Sequence, residues 1–331
     1  IPEPPGLLHA ALVLSTKPHA RILTIDTAPA LALKTTTDED QDDDDDIGGA
    51  VSSSKSSTTS SESSTSALLG GSVVAVFLAG DVQGTNHIGA VVKDEEVFAS
   101  EIVPTVGSVI GVCVGTTLRA AQAGARAVKV TYEELPAILT IQDAIAAQSY
   151  YDDVGPPAIT TDHTVESGDV DAAKRASEED GEIAVVRGSM NVGGQEHFYL
   201  EPNVTLCVPT DGGDELTVYS STQNVAKTQN FVAAVTGLPA HKVVCRMKRM
   251  GGGFGGKETR SVFVGVCAAV AATRLNRPVK ICLDRDVDMA ITGQRHPFFC
   301  SYEAGCHKTT GKLVYLDCDL YSNGGCSLDL S

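Results

Sequence analysis

The chain has 331 residues, enough for two domains, and 42% of them are hydrophobic, so a core can be buried. Its formal charge of −17 offers no basic face for phosphate neutralisation, so nucleic acid is not an expected partner. The longest nearly unbroken apolar run, Val262 to Ala272, falls short of the roughly 20 residues needed to span a bilayer, so no membrane insertion is expected.

In chain order, Ala10 to Leu14 and Ile22 to Ile25 read as strands. An anomalous stretch follows at 34–72. Eight acids occupy nine positions over Asp38 to Asp46, and Ser52 to Ser66 holds 13 Ser or Thr in 15 residues. Such charge and polarity give no apolar surface to offset chain entropy, and the stretch is expected to be a disordered insertion. Beyond it, Val73 to Leu78 and Val109 to Val114 are strand-like, Thr117 to Ala127 is helical, and Val128 to Tyr132 is a strand ended by Leu135-Pro136. Asp143 to Gln148 adds a helical turn. The polar, acidic stretch after residue 148 reads as a connector.

From there, Ala184 to Arg187 is a strand. Leu206 to Val208 and Leu216 to Tyr219 flank Asp211 to Asp214 as a hairpin. Asn224 to Thr236 is a helix with Val225, Val232 and Val235 on one face, stopped by Gly237. Lys242 to Met247 and Val279 to Leu283 are strands around an almost wholly apolar helix, Ser261 to Leu275. Asp284 to Asp288 reads as a strand-ending turn; it imitates an EF-hand start, but Met289 and Arg295 stand where Gly and Glu are required. Phe298 to Tyr302 and Leu313 to Leu320 flank a turn at Lys308 to Gly311. The nine cysteines contain no Cys-x-x-Cys pair and read mostly as reduced thiols within apolar elements. Both termini look like cuts through a larger protein, and no secretory signal opens the chain.

Two clusters carry chemistry. Met250 to Glu258 places five glycines in six positions between a strand and a buried helix, and successive amide N–H groups there suit an oxyanion. Gly251 to Lys257 comes within one residue of a P-loop, but Glu258 replaces the Mg²⁺-binding Ser or Thr, and its carboxylate opposes a nucleotide. Gly193 to Pro202 gathers Gln195, Glu196 and His197. Glu196-His197 alone is not a metal site, because neighbours on a strand face opposite ways; Gln195 offers a neutral amide donor. No Gly-x-Ser-x-Gly elbow is present for a hydrolase. Arg295 suits an anion or the nearby aspartates.

Together, Gly193 to Glu201 and Arg249 to Arg260 resemble the molybdenum-cofactor region of the xanthine dehydrogenase/oxidase molybdoenzyme family. Ser221 to Asn224, Leu283 to Asp286 and Gly293 to Phe298 fit the same family in the same order. Ser15 to Ala20, Val130 to Ala137 and Ile141 to Ile145 resemble its hammerhead domain. The resemblance implies an α/β (α+β) fold: a hammerhead-type α/β domain at 7–148, a connector at 149–181, and a truncated molybdopterin-binding domain at 182–331. It implies that Gln195 and the backbone N–H of Phe254 face oxygen ligands of molybdenum, that Gly253 and Gly255 hold the loop open, and that Glu258 contacts a purine. No role follows for Arg295 or His296.

The implied activity is hydroxylation of hypoxanthine or xanthine to urate, with water as oxygen source. Electrons would leave through 2Fe-2S clusters and FAD, absent from this chain, to NAD⁺ or O₂. A homodimer in the cytoplasm, or in the peroxisome, is implied for the full-length protein. The general base and a substrate arginine of the family have no counterpart here, so the isolated chain is expected to be inactive. The alternatives are an aldehyde oxidase fragment, which Glu258 disfavours, and a non-catalytic scaffold using its acidic Ser/Thr stretch to bind partners.

Overall fold

A computed structural model describes residues 2–33, 70–151 and 162–329. The expected disordered insertion at 34–72 lies, over 34–69, outside the described residues. The strands in chain order are β1 (Leu8–Leu14), β2 (Ala20–Asp26), β3 (Val73–Leu78), β4 (His87–Ile88), β5 (Glu95–Glu96), β6 (Ile102–Val103), β7 (Val109–Gly115) and β8 (Lys129–Glu134), followed by β9 (Ile183–Val192), β10 (Val204–Thr210), β11 (Glu215–Ser220), β12 (Val243–Arg246), β13 (Val279–Cys282), β14 (Phe298–His307) and β15 (Leu313–Ser322). Compactness divides the chain into two units that do not follow chain order. One holds 1–89, 93–136 and 198–293; the other holds 90–92, 137–197 and 294–331.

The first unit is built on a seven-stranded mixed sheet, β12-β11-β10-β13-β1-β7-β3. The alternating and continuous apolar stretches form these strands because each buries at least one face. β1 runs parallel to β13, with Leu8 opposite Val279, and antiparallel to β7. β10 and β11 form the expected hairpin, Thr210 opposite Glu215. Against the sheet pack two helices. Val225–Thr236 is capped by Asn224, whose side chain accepts the Lys227 N–H, and stopped by Gly237 at φ +75°. Arg260–Leu275 buries Val262, Val266, Cys267, Val270 and the alanines between them, as its all-round apolarity requires. Val225 departs from its expected face: it is exposed in the first turn, while Val232 and Val235 are buried. A three-stranded antiparallel sheet, β6-β2-β8, closes a smaller cluster around Val13, Val73, Ile110 and Cys113.

The second unit is an antiparallel sheet, β15-β14-β9, with helix Val170–Glu179 packed against β15 and β9. That helix lies inside the stretch read as a connector. Asp169 accepts the Ala172 N–H as N-cap, and Lys174 pairs with Asp317 of β15, so sheet contacts supply what a weakly apolar sequence did not advertise. A second correction falls in the first unit, where Arg285–Ile291 is a helix and not a turn. It is fixed by Asp288, buried to 1% exposure, which accepts the Asn203 backbone N–H and side-chain amide, both at 2.8 Å. A third concerns the thiols: Cys113, Cys207 and Cys267 are buried, but Cys282, Cys318 and Cys326 are exposed. Among the described residues, no helix is long and apolar enough to cross a membrane.

Candidate functional site

β12 ends at Arg246, and helix Arg260–Leu275 begins four residues past the last glycine of the run, so the loop spans the two as expected. It is held from behind by side chains from the neighbouring segments. Glu201 and Gly251 exchange bonds: the Gly251 N–H donates to Glu201 Oε2 at 2.7 Å, and the Glu201 N–H donates to the Gly251 carbonyl at 3.2 Å. The Gln223 side-chain oxygen accepts the N–H groups of Gly255 and Lys257 at 3.0 and 3.2 Å. Gly253 must lack a side chain, because a Cβ there would sit 2.5 Å from that same Gln223 oxygen. Gly253→Ala is therefore expected to cost about 1–3 kcal/mol through forced repacking, read as a lower midpoint of thermal unfolding. An unchanged midpoint would show that the Gln223 brace yields freely.

The front of the loop is open. Phe254 adopts φ +52° and is 75% exposed; Gly255 adopts φ +91° with nothing within 4 Å of a built Cβ. Among the described residues, the N–H groups of Gly252, Gly253 and Phe254 donate to no protein acceptor. Three consecutive free amide donors beside residues of positive φ form a concavity suited to oxygen atoms bearing negative charge. This donor set fits an oxo-bearing, pterin-held metal group. Glu258, half-buried, follows directly, its N–H bonded to the Gly255 carbonyl at 3.2 Å.

Lys257 settles the P-loop comparison. Its side chain is fully enclosed (0% exposed) and points away from the loop mouth. The ammonium lies 3.1 Å from Glu201 Oε2, 2.6 Å from Ser221 Oγ and 4.6 Å from the centre of the Tyr199 ring. Burial pushes the Lys257 ammonium below its ordinary value, against the opposing pull of Glu201. Burial likewise pushes the Glu201 carboxyl up, but the Gly251 N–H, the Ser221 hydroxyl and the Lys257 charge outweigh it, and the net shift is downward. Ser221 donates to Glu201 at 2.7 Å while accepting from Lys257, so its proton is engaged and it is a strut rather than a nucleophile. A cleft of about 540 Å³ opens beside Glu201 and Ser221, rimmed by Arg246, Lys248, Arg249 and Lys280. In a chain of charge −17, this rim gathers cations beside the loop's support.

Gln195 lies in the second unit. It is not on a regular strand, so the strand-face argument against Glu196-His197 does not apply as framed; Gln195 makes a single antiparallel bridge with Arg295. Arg295 Nη1 donates to Gln195 Oε1 at 3.2 Å, and no ion pair with an aspartate forms among the described residues. His296 Nδ1 is 3.3 Å from Ser322 Oγ. The structure thus brings Gly253, Phe254, Gly255 and Glu258 together on one loop, and sets Gln195 with Arg295. Sequence reasoning missed the bracing roles of Glu201, Ser221, Gln223 and Lys257; their common signal was position within motifs that flank the glycines.

Residues 151–331 match the molybdopterin cofactor-binding domain, and 36–136 match the a/b hammerhead domain of aldehyde oxidase and xanthine dehydrogenase. Xanthine dehydrogenase 1 of Arabidopsis thaliana is 46% identical over 330 residues, and the xanthine dehydrogenase/oxidase of Mus musculus 42% over 331. Each alignment covers 100% of this chain and 21% of the relative, so the chain spans about a fifth of their length. Among solved structures, the aldehyde oxidoreductase of Desulfovibrio gigas has a TM-score of 0.70 at 24% identity, covering 97% of this chain and 31% of that one. Quinoline 2-oxidoreductase of Pseudomonas putida 86 has a TM-score of 0.70 at 20% identity, covering 96% and 36%. At those identities the likeness concerns the fold. With both domain models matched in order and xanthine dehydrogenases aligned along the whole chain, this protein belongs to the xanthine dehydrogenase family, as a mixed α/β hammerhead domain followed by part of a molybdopterin-binding domain.

Proposed function

We propose that this chain is the hammerhead and leading molybdopterin-domain portion of a purine-hydroxylating molybdenum enzyme, divided at about 7–148, 149–181 and 182–331. The observation that carries the reading is the open row of amide donors at Gly252, Gly253 and Phe254, backed by a buried Lys257–Glu201 pair and followed by Glu258. When bound, the molybdenum–molybdopterin group would supply two-electron oxidation of a heterocycle carbon with water as oxygen source. This chain's residues do the rest of the work assigned to it. The Phe254 N–H and the Gln195 amide orient oxygen ligands without adding charge, Gly253 and Gly255 keep the loop open, and Glu258 holds a polarised hypoxanthine or xanthine. The full-length enzyme would carry 2Fe-2S clusters and FAD toward NAD⁺ or O₂, as a homodimer in the cytoplasm.

Anomalous scattering at the molybdenum edge, from crystals of the full-length enzyme, is expected to put the metal peak beside residues 252–255. A peak remote from that loop would overturn the reading. The chain produced alone is expected to retain no molybdenum after desalting and to leave xanthine unoxidised. Turnover by it would refute the assignment of part of the machinery to other segments.

A further inference from the structure

We propose that Met190, Cys300 and Cys318 form a three-sulfur site for a soft monovalent metal ion such as Cu(I), on the bare face of the β15-β14-β9 sheet. The register sets the three side chains in one row. Cys300 of β14 stands directly opposite Met190 of β9 on one side and Leu320 of β15 on the other. Directly opposed residues of an antiparallel pair project to the same face. Cys318 joins that face, two positions from Leu320 with no bulge between them. The Cys300 and Cys318 thiols meet in a hydrogen bond across the β14–β15 diagonal. Met190 is unbranched with three rotatable bonds, long enough for its thioether to cross the spacing of about 5 Å between opposed Cβ atoms.

The row is open to solvent. Helix Val170–Glu179 covers the other face of the sheet, where Lys174 pairs with Asp317. Asp317 is the neighbour of Cys318 in β15 and so points the opposite way. Met190 is 61% exposed, Cys318 is exposed and Cys300 is half-buried. Tyr302, directly opposite Cys318, does not cover it. A Cβ at Gly188 would lie 2.7 Å from the Tyr302 hydroxyl, so the ring leans over β9, on the far side of β14 from Cys318.

The donor set selects the ion. Among the described residues, no group of three or more His, Cys, Asp or Glu could hold a metal, so the donor set that zinc or calcium needs is not formed here. Two thiolates and a thioether are soft ligands, and they suit Cu(I). Val186, Val192, Leu316 and Leu320 share the face and add no oxygen ligand for a hard cation. Binding breaks two S–H bonds, forms two metal–thiolate bonds and sends two protons to solvent. The thioether adds a dative bond, and the metal keeps its oxidation state. All three residues belong to the second unit, so the site is independent of the glycine loop.

The test uses the full-length protein, reduced and anaerobic, titrated with Cu(I) in competition with bathocuproine disulfonate. Alkylation by N-ethylmaleimide, read by mass spectrometry, reports each cysteine separately. Without copper, Cys300 and Cys318 are expected to react. One equivalent of Cu(I) should protect the two together and leave the exposed Cys282 reactive. Cys300→Ser and Cys318→Ser are each expected to weaken binding about a hundredfold, and Met190→Leu about tenfold, the range over which metal sites lose affinity when a supporting group is removed. Protection of neither thiol, of one alone, or of Cys282 to the same extent would overturn the site. So would Cys300 and Cys318 thiols that resist alkylation without copper, because the face would then be covered in the full-length protein. Copper held by Met190→Leu as tightly as by the parent would overturn the three-sulfur donor set. Alkylation is read on the unaltered protein, so it decides the matter even where a variant fails to fold.

Discussion

Glu201→Leu is expected to destabilise the fold by about 3 kcal/mol, the low end for breaking a buried ion pair, because 36% of the Glu201 side chain reaches solvent through the cleft. Lys257 is left fully enclosed, touching Ser221 Oγ, the Pro202 carbonyl and the Tyr199 ring, with the more distant Asp288 carboxylate favouring its charge and Arg285 opposing it. The Gly251 N–H and the Ser221 hydroxyl lose their acceptor at the same time. Urea unfolding of the chain and the single variant measures the loss. The decisive companion is Glu201→Leu/Lys257→Met. Removing both charges removes the uncompensated ammonium, so the double variant should be more stable than Glu201→Leu alone. A double variant less stable than the single would show that Lys257 contributes by packing, not through the pair.

The same carboxylate gives a pH dependence. Its folded value lies below the ordinary 4.5, so the unfolded chain takes up more protons as pH drops through that value. Stability from this group is complete above about pH 4.5 and is lost as pH falls toward the folded value. Glu201→Leu should show a shallower acid decline than the parent.

Glu258→Gln in the full-length enzyme is expected to lower purine turnover about a hundredfold, the scale of losing one group that stabilises charge at a reacting centre. Glu258 is half-buried beside the open loop, and among the described residues its carboxylate makes no hydrogen bond or ion pair. That charge is thus available to a ligand, unlike that of Glu201, which is consumed by the loop's own support. Glutamine keeps the shape and removes the charge. Molybdenum content should be unchanged, and oxidation of an aldehyde, which has no purine ring to contact, should be nearly unaffected. Equal losses with both substrates would move Glu258 from substrate contact to general support of the loop.

Much of this was legible along the chain, because it depends on neighbours a few positions away. Helix Val225–Thr236 is announced by Asn224 and ended by Gly237; the β10–β11 hairpin is announced by Asp211 to Asp214; the glycine run identifies itself, and with the Gln195 segment identifies the family. Tertiary structure decided the rest. No local pattern states that Leu8 pairs with Val279, since strand partners are chosen by which surfaces bury one another, not by proximity in sequence. Helices Val170–Glu179 and Arg285–Ile291 depend on a sheet contact through Lys174 and on buried Asp288, respectively, neither visible in their own composition. Lys257 is a phosphate ligand by motif and a buried strut in space, and Arg295, suited by its type to an anion or the nearby aspartates, stands opposite Gln195 instead. Residue types name the chemistry available; the direction in which each group is aimed comes from contacts that only the folded chain makes.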